Sequence, residues 1–170
     1  STITPTRPML DWEPLAHGMS DNGWLDLTNT QVDWNVNGRL ISVKGVDDPH
    51  IGRDDYAGIT NSFNEQADLT LGVVHAPYLR VLDAMAADNA QLILAGHTHG
   101  GQVRVPGYGA LVTNCDLDTA RASGLSQHQG SALHVSAGLG CSRYAPFRFA
   151  CPPEATLITL KPRSSHLEWS

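Results

Sequence analysis

Two apolar stretches separated by a helical pattern stand out in the hydrophobic profile of this chain. Residues 69–74 and 91–95 have the length and composition of buried strands. Between them, residues 78–88 place apolar side chains at helical spacing directly after Pro77, a residue that favours a helix start. The order strand, helix, strand predicts two parallel neighbours whose carboxyl ends meet at one edge of a sheet.

An alternating pattern nearer the amino terminus predicts a β-hairpin. Residues 31–36 alternate polar side chains with Val32, Trp34 and Val36, and Asn37-Gly38 then leads into residues 39–46. The one-sided pattern is typical of an outer strand pair in an antiparallel or mixed sheet. Weaker patterns predict a short helical opening at 11–22, a helix at 54–63, and strands at 102–105, 132–136 and 155–160. The chain is therefore expected to have an α/β fold.

Three histidines follow the two apolar stretches directly. His75 comes after the first, and His97 and His99 lie in the run Gly-His-Thr-His-Gly-Gly-Gln at 96–102, after the second. Glycines on both sides let the main chain curl, so that imidazoles one residue apart point into one pocket. Neutral imidazole is a common ligand of zinc, manganese and iron. The sequence thus predicts that all three imidazoles converge on one site, with a geometry that suits two metal ions.

This ordered set of motifs resembles the calcineurin-like metallophosphoesterases, in particular a bacterial branch of that superfamily. The resemblance rests on the His-x-Pro element at 75–77 and on the run at 96–102. It extends to Gly-Val-Asp-Asp at 45–48, and to 136–140 and Pro-Pro-Glu at 152–154, and so covers most of the chain.

The resemblance implies a fold, a reaction and a set of metal ligands. The expected fold is part of an αββα sandwich with mixed β-sheets. The expected reaction is hydrolysis of a phosphodiester or phosphomonoester at a centre of two divalent metal ions, namely manganese, iron or zinc. By the same resemblance, His75 and His97 bind one ion and His99 binds the other.

Other motifs of that family are missing upstream of His75. The family's Asp-x-His at the start of the domain, the Gly-Asp that bridges the metals and the Gly-Asn-His with the catalytic imidazole do not occur in the expected form. Asp48-Pro49-His50 spells Asp-x-His, but it follows a strand end, so we interpret it as a loop near the mouth of the site, with His50 as a candidate contact for substrate or metal. Residues 1–163 are therefore interpreted as the carboxyl-terminal portion of the domain, and no catalytic residue is identified.

Two further features of the carboxyl-terminal third bear on this interpretation. Arg143 and Arg148 are candidates for neutralising a substrate phosphate, the alternative being a packed loop whose arginines form surface ion pairs. Residues 164–170 lack periodicity and resemble a vector or purification-tag segment, so they are left out of the fold prediction.

Composition restricts the class of partner. The chain has 17 acidic and 11 basic residues, a net charge of −6 and no basic stripe, which disfavours a nucleic acid groove. A small phosphoester substrate stays compatible with this charge, because two bound cations would dominate the local field. The expected macromolecular partner is the chain's own amino-terminal half or a second copy, since three histidines alone make an incomplete cage.

Cysteine usage and apolar runs leave the location open. Cys115, Cys141 and Cys151 are an odd number without Cys-x-x-Cys spacing, which gives no support for a disulfide framework, and whether Cys141 and Cys151 pair is not set by the sequence. No apolar run approaches the ~20 residues that span a bilayer. A cytoplasmic location and a membrane association through an amino-terminal segment are both open.

A second functional hypothesis belongs to a different class. The chain would then be a non-catalytic fragment or assembly domain that retains at most partial metal binding. The missing upstream motifs favour this alternative for the chain in isolation, whereas the three retained histidines favour descent from a working enzyme.

Overall fold

The structure, a computed structural model, describes residues 11–60, 62–142 and 145–161. In these ranges the helices are α1 (Glu13–Asp21) and α2 (Leu79–Ala87), and the strands are β1 (Thr30–Val36), β2 (Arg39–Gly45), β3 (Leu69–Val74), β4 (Leu92–Ala95), β5 (Arg104–Val105), β6 (Gly109–Ala110), β7 (Gly124–His128) and β8 (Ser131–Val135). Short 3-10 turns lie at Pro49–Ile51, His99–Gly101 and Thr119–Arg121. The tag-like segment at 164–170 and Arg143 lie outside the described residues.

A mixed six-stranded sheet organises the molecule. Its strand order is β1-β2-β3-β4-β8-β7, and β5 and β6 form a separate pair. The four inner strands β2, β3, β4 and β8 are parallel, and β1 and β7 pair antiparallel at the two edges. The predicted α/β class with a mixed sheet is confirmed. Because the inner strands are parallel, the four loops that follow them emerge at the same edge.

The predicted hairpin forms with the expected turn. Val36 pairs with Arg39, so Asn37 and Gly38 are the only loop residues, and both have positive φ, 51° and 77°. Asn-Gly is the sequence best suited to a two-residue turn with left-handed central residues. The hairpin delivers β2 to the interior of the sheet, where Val43 is buried.

The unit β3-α2-β4 holds the main core. Helix α2 begins after Pro77, as predicted, and buries Val81, Leu82, Met85 and Ala86. Gly72 on β3 makes this packing close, because a Cβ there would lie 2.7 Å from the sulfur of Met85. The parallel pairing of β3 with β4, predicted from the apolar stretches, is confirmed.

A buried lysine connects the sheet to the carboxyl end of α2. Lys44 is 2% exposed, and its ammonium group pairs with Asp88 and lies 4.8 Å from the centre of the Phe63 ring. The hydroxyl of Tyr56 donates to the same carboxylate at 2.8 Å. Burial, and secondarily the bond to Asp88, raises the pKa of Tyr56, so this phenol stays protonated and donates. The charge on Lys44 is tolerated because it is paired.

The predicted helix at 54–63 does not form. The described part of this segment makes turns, in which the carboxylate of Asp55 accepts from the amide of Gly58 at 2.9 Å and the amide of Asp55 donates to Asn29. A side chain that bonds nearby main-chain groups competes with helix formation. The apolar residues that suggested a helix, Tyr56 and Phe63, do pack on the core.

The predicted strand at 155–160 is also wrong. Residues 152–161 are exposed and pair with none of the described strands, and Leu157 is 93% exposed. An alternating sequence becomes a strand only where a neighbouring strand supplies hydrogen bonds and cross-strand side-chain contacts. The described residues offer this segment no such neighbour.

One face of the sheet is only partly covered by the described residues. Lys44 and Gly72 face α2, so by strand alternation their neighbours Leu71 and Val73 face the other way, where they stay partly accessible. On this second face, Trp34 is 48% exposed and Leu125 is 73% exposed. An inner parallel strand is normally buried on both faces.

The two helices differ in environment. Helix α1 buries none of its residues, whereas α2 contributes four to the core. In the part of the chain that the structure describes, no helix is both long and apolar enough to cross a membrane.

The pairing of Lys44 gives a stability prediction. We expect Asp88→Ala to lower the free energy of unfolding by about 3 kcal/mol, because it leaves a buried ammonium group without a partner. Lys44→Met removes the charge but keeps most of the volume, and should change stability by about 1 kcal/mol or less. Urea unfolding of the two variants tests this, and equal losses in both would contradict it.

Candidate functional site

Four loops meet at the carboxyl edge of the parallel strands. The loop after β2 carries His50, the loop after β3 carries His75, the loop after β4 carries His97 and His99, and residues 136–140 follow β8. Sheets of this kind commonly place their ligand sites at this edge, outside the carboxyl ends of the strands. The sheet order therefore explains why residues distant in sequence become neighbours here.

His75 and His97 bring two ring nitrogens together. Nδ1 of His97 lies 3.3 Å from Nε2 of His75, and the two rings are nearly perpendicular, at 84°. Two nitrogens that each lie ~2.0–2.1 Å from one tetrahedrally coordinated zinc ion are about 3.3–3.4 Å apart. The spacing of this pair thus fits two ligands of one metal ion.

The second nitrogen of His97 is held by the main chain. Nε2 of His97 lies 3.3 Å from the carbonyl oxygen of Asn114. A carbonyl can only accept, so Nε2 carries the proton and Nδ1 presents its lone pair toward His75. Metal-binding histidines usually have such a partner on the nitrogen that does not bind the ion.

The surroundings of His97 favour its neutral form. Burial is the largest cause that lowers the pKa of His97, and the neighbouring imidazoles of His75 and His50 lower it further. The bond to Asn114 and the charge of Asp48 act in the opposite direction, and the net pKa is lowered. A neutral imidazole is the form that binds a metal ion.

His99 occupies a different position in the same cavity. Its Nδ1 lies 3.2 Å from the carbonyl oxygen of Gly140, so Nδ1 donates and Nε2 presents its lone pair. A cavity of about 650 Å³ is lined by His50, His97, His99, Gly101, Gln102, Val103, Leu111, Val112, Asn114, Ser142 and Ala145. No hydrogen bond or ring contact of the described residues joins His99 to His75 or His97.

The ligand set is incomplete within the described residues. No three His, Cys, Asp or Glu side chains among them are grouped so that they would hold a metal ion together. The residues present therefore supply the converging nitrogens of His75 and His97, together with the imidazole of His99 in the cavity that His97 also lines. A closed metal cage needs further ligands.

The main chain bends sharply through the histidine run. His97, His99 and Gln102 have positive φ values of 69°, 50° and 51°, which residues other than glycine rarely adopt. Gly101, at φ 80°, has no room for a side chain, because a Cβ there would lie 2.3 Å from the Cβ of Ala110. Such strained positions cluster at functional sites, where the surrounding structure holds them in place.

Three polar residues hold this bend, and none of them was predicted as a site residue. The hydroxyl of Thr98 donates to the carbonyl of Ala122 at 2.6 Å. The amide oxygen of Gln102 accepts from the amide of Ser142 at 2.6 Å. The guanidinium of Arg104 donates to the carbonyl of Gly100 at 2.7 Å. Their partners lie up to 40 residues away in sequence, so local patterns could not indicate these bonds. The run at 96–102 was the only sequence feature that pointed to this segment.

Arg148 braces the loop after β8. Its guanidinium donates to the carbonyl oxygens of His99, Ala137 and Gly138 at 3.0, 2.7 and 3.0 Å, and also to Gly140. These bonds occupy the guanidinium with main-chain groups. These contacts are typical of an arginine in a packed loop, the alternative to a role in phosphate binding. Main-chain carbonyls are its partners here, in place of the surface ion pairs expected for such a loop.

His50 lies against the paired histidines. It sits on the 3-10 turn Pro49–Ile51, its ring centre is 4.6 Å from that of His97, and its Nδ1 is 3.0 Å from the hydroxyl of Tyr78. The sequence placed His50 near the mouth of the site. Tyr78 was not identified as a site residue, because in sequence it is only the residue before a helix.

The cysteines do not form a disulfide. All three are free, with Cys141 exposed and Cys151 buried. The sulfur of Cys151 lies 3.4 Å from the carbonyl oxygen of His99, beneath the bend.

The sequence of this chain is similar to those of three curated proteins from Bacillus subtilis. The chain is 33% identical to the uncharacterized metallophosphoesterase YkuE over 126 residues, 74% of this chain and 42% of YkuE. It is 30% identical to the uncharacterized protein YpbG over 145 residues, 85% of this chain and 49% of YpbG. It is 29% identical to the uncharacterized metallophosphoesterase YkoQ over 131 residues, 76% of this chain and 47% of YkoQ.

The chain thus spans less than half the length of the curated relatives it matches. It matches no protein-family model and no solved structure.

The environment of His97 gives a pH prediction. In the metal-free chain, we expect the His97 imidazole to titrate below the usual value of about 6.5, because burial disfavours the imidazolium. The unfolded chain then binds the His97 proton more strongly than the folded chain does. The contribution of His97 to the free energy of unfolding therefore falls as the pH drops below about 6.5. Ring-proton NMR measures the midpoint of the His97 titration. His75→Ala should raise this midpoint, because the neighbouring imidazole is one cause of the lowered pKa. A midpoint above about 6.5 in the unchanged chain would contradict the prediction.

The close packing of Gly101 gives a second prediction. Gly101→Ala should displace the bend and lower the free energy of unfolding by about 1–3 kcal/mol more than the same change at a glycine with free space, because the added methyl group collides with Ala110. Gly107→Ala is a matched control, since Gly107 also has a positive φ, 78°, but an added Cβ meets nothing within 4 Å. Urea unfolding compares the two variants, and equal losses of stability would show that the bend tolerates the change.

Proposed function

Because the chain is related to the calcineurin-like metallophosphoesterases, we propose that it supplies the histidine ligands of a dinuclear centre that hydrolyses phosphoester bonds. The observation that carries this proposal is the 3.3 Å approach of His75 Nε2 and His97 Nδ1, with the outer nitrogen of His97 bonded to a carbonyl.

Each histidine has a specific part in the proposed centre. His75 and His97 bind one divalent ion through the converging nitrogens, and His99 binds the other through Nε2. The ions are manganese, iron or zinc, all of which accept imidazole ligands. When bound, two such ions supply a water of lowered pKa and neutralise charge on the phosphoryl group.

The residues of this chain prepare the site for that chemistry. The carbonyls of Asn114 and Gly140 keep the ligating nitrogens of His97 and His99 free of protons. Gln102 bonds to Ser142 and Ala145, and Arg148 bonds to Gly138 and His99, which ties these residues to the bend beside the imidazoles. The bound substrate is a small phosphoester, because the cavity is of ordinary ligand size and the chain has no basic stripe.

The missing ligands come from outside the described residues in this proposal. Carboxylates would complete the cage, because they offset the charge of the ions and imidazoles do not. Their source is the chain's own amino-terminal half, or a second copy of the chain. The partly accessible sheet face and the unpaired segment 155–160 are consistent with such a neighbour.

One observation favours a second candidate function. Because no group of three ligands is present among the described residues, the chain alone would hold a metal ion weakly. A non-catalytic assembly domain with partial metal binding has the same geometry. Metal affinity and turnover, measured on the same protein, separate the two.

The decisive experiment measures Mn²⁺-dependent hydrolysis of bis-p-nitrophenyl phosphate. The chain is compared with a version extended upstream, and both proteins are also made with His97→Ala and with His17→Ala. His17→Ala is the matched control, because His17 is exposed on α1 and does not line the cavity. We expect turnover only in the extended protein, abolished by His97→Ala and unchanged by His17→Ala.

The outcomes discriminate between the candidates. Activity of the short chain that depends on His97 would show that ligands within these residues suffice and that the half-site interpretation is wrong. Absence of turnover in the extended protein, with Mn²⁺ binding that still depends on His97, would favour the assembly domain.

A further inference from the structure

His50 meets His97 in a different way from His75. The rings of His50 and His97 lie 4.6 Å apart and are tilted by 46°, with no hydrogen bond between their nitrogens. By contrast, the nitrogens of His75 and His97 point at one another at 3.3 Å. His50 is therefore a neighbour of the ligand pair but is not directed at the same point.

The two nitrogens of His50 have different surroundings. Nδ1 lies 3.0 Å from the hydroxyl of Tyr78, whereas Nε2 has no hydrogen-bond partner among the described residues. The phenol of Tyr78 has no other acceptor among them, so donation to Nδ1 is the arrangement that satisfies its proton. Partial burial, the main cause that raises the pKa of Tyr78, keeps this phenol protonated. In this tautomer Nε2 carries a proton.

The loop that presents His50 is held from several sides. The carboxylate of Asp48 accepts from the amide of His50 at 2.9 Å, which caps the 3-10 turn, and Pro49 beside it is buried. Arg80 on α2 donates to the carbonyl of Pro49 at 3.2 Å. The side chain of Asn29 accepts from the amide of Asp47 and donates to the carbonyl of Arg53. This anchoring fixes an imidazole in the cavity.

We propose that His50 is a substrate-positioning residue, whose Nε2–H donates a hydrogen bond to a phosphoryl oxygen of the substrate and whose orientation and tautomer are set by Tyr78. This role rests on the proposed function, because it needs a phosphoester in the cavity that His50, His97 and His99 line. A hydrogen-bond donor beside the metal ligands orients the phosphoryl group without occupying a coordination position.

The proposal differs from a role of His50 as a third metal ligand. A ligand would need a free lone pair directed at the point where His75 and His97 converge. His50 does not present such a lone pair, because its Nδ1 accepts from Tyr78 and its ring lies beside that of His97. The described residues also contain no group of three side chains that could hold a metal ion.

The experiment separates phosphoryl binding from metal binding. Calorimetry measures, on the version extended upstream, the affinity for Mn²⁺ and then the affinity of the Mn²⁺-loaded protein for methylphosphonate, a non-hydrolysable phosphoryl anion. We expect His50→Ala to weaken methylphosphonate binding by about ten- to a hundredfold, the usual cost of losing a hydrogen bond to a charged group. Its Mn²⁺ affinity should stay within about twofold of the unchanged chain.

Three further variants test the mechanism of this effect. His50→Gln, whose amide nitrogen approximates the position of Nε2, should retain most of the affinity for methylphosphonate. Tyr78→Phe should give an intermediate loss, because the ring stays but its orientation is no longer fixed. His17→Ala should leave both affinities unchanged. Amide NMR spectra check that each variant is folded.

Each failure has a distinct signature. Equal loss of Mn²⁺ affinity in His50→Ala and His97→Ala would make His50 a metal ligand and overturn the proposal. Unchanged methylphosphonate affinity in His50→Ala, or no methylphosphonate binding by the unchanged chain, would also overturn it. If His97→Ala leaves Mn²⁺ affinity unchanged, the proposed metal centre itself is wrong, which the metal titration alone reveals.

Discussion

The sharp bend of the main chain from His97 to Gln102 is the constraint on which the candidate site depends. It brings two imidazoles, one residue apart, into a single cavity, and it requires positive φ at residues that normally avoid it. Contacts from distant residues hold this conformation, chiefly those of Gln102 with Ser142 and Ala145 and that of Arg148 with the carbonyl of His99. The strain at the histidines is thus maintained by the packing of the loops around them.

The parallel core of the sheet supplies the second condition, because it collects the loops at one edge. Its central unit, β3-α2-β4, was predictable from sequence, whereas the parallel pairing of β2 and β8 with that unit was not. The Asn37-Gly38 turn and the strand-helix-strand unit around α2 depend on local signals, namely a turn dipeptide and apolar periodicity, and both form as predicted. The positions of His75 and His97 at strand ends follow from the same unit.

The features that sequence did not predict depend on contacts between distant residues. The segment at 54–63 has helical spacing, but bonds from Asp55 and Asn29 give it turns. The segment at 155–160 alternates, but the described residues give it no strand to pair with. In the site, the link from Tyr78 to His50 spans 28 residues, so neither residue type nor spacing indicates it. Local patterns fail where a partner elsewhere in the chain decides the outcome.

Charge balance gives the strongest physical reason to regard the described site as part of a larger one. The side chains proposed as its metal ligands are imidazoles, and burial lowers the pKa of His97, which favours the neutral form of that ring. Two divalent ions would bring four positive charges, and the cavity that His97 and His99 line contains no carboxylate among the described residues. In the pocket beside His75, Asp47 pairs with Arg53 and Asp48 caps the turn at His50. A stable dinuclear centre would therefore require acidic ligands from a neighbouring segment. The partly accessible sheet face offers that segment a surface beside the cavity, so that folding and metal binding would be completed by the same contact.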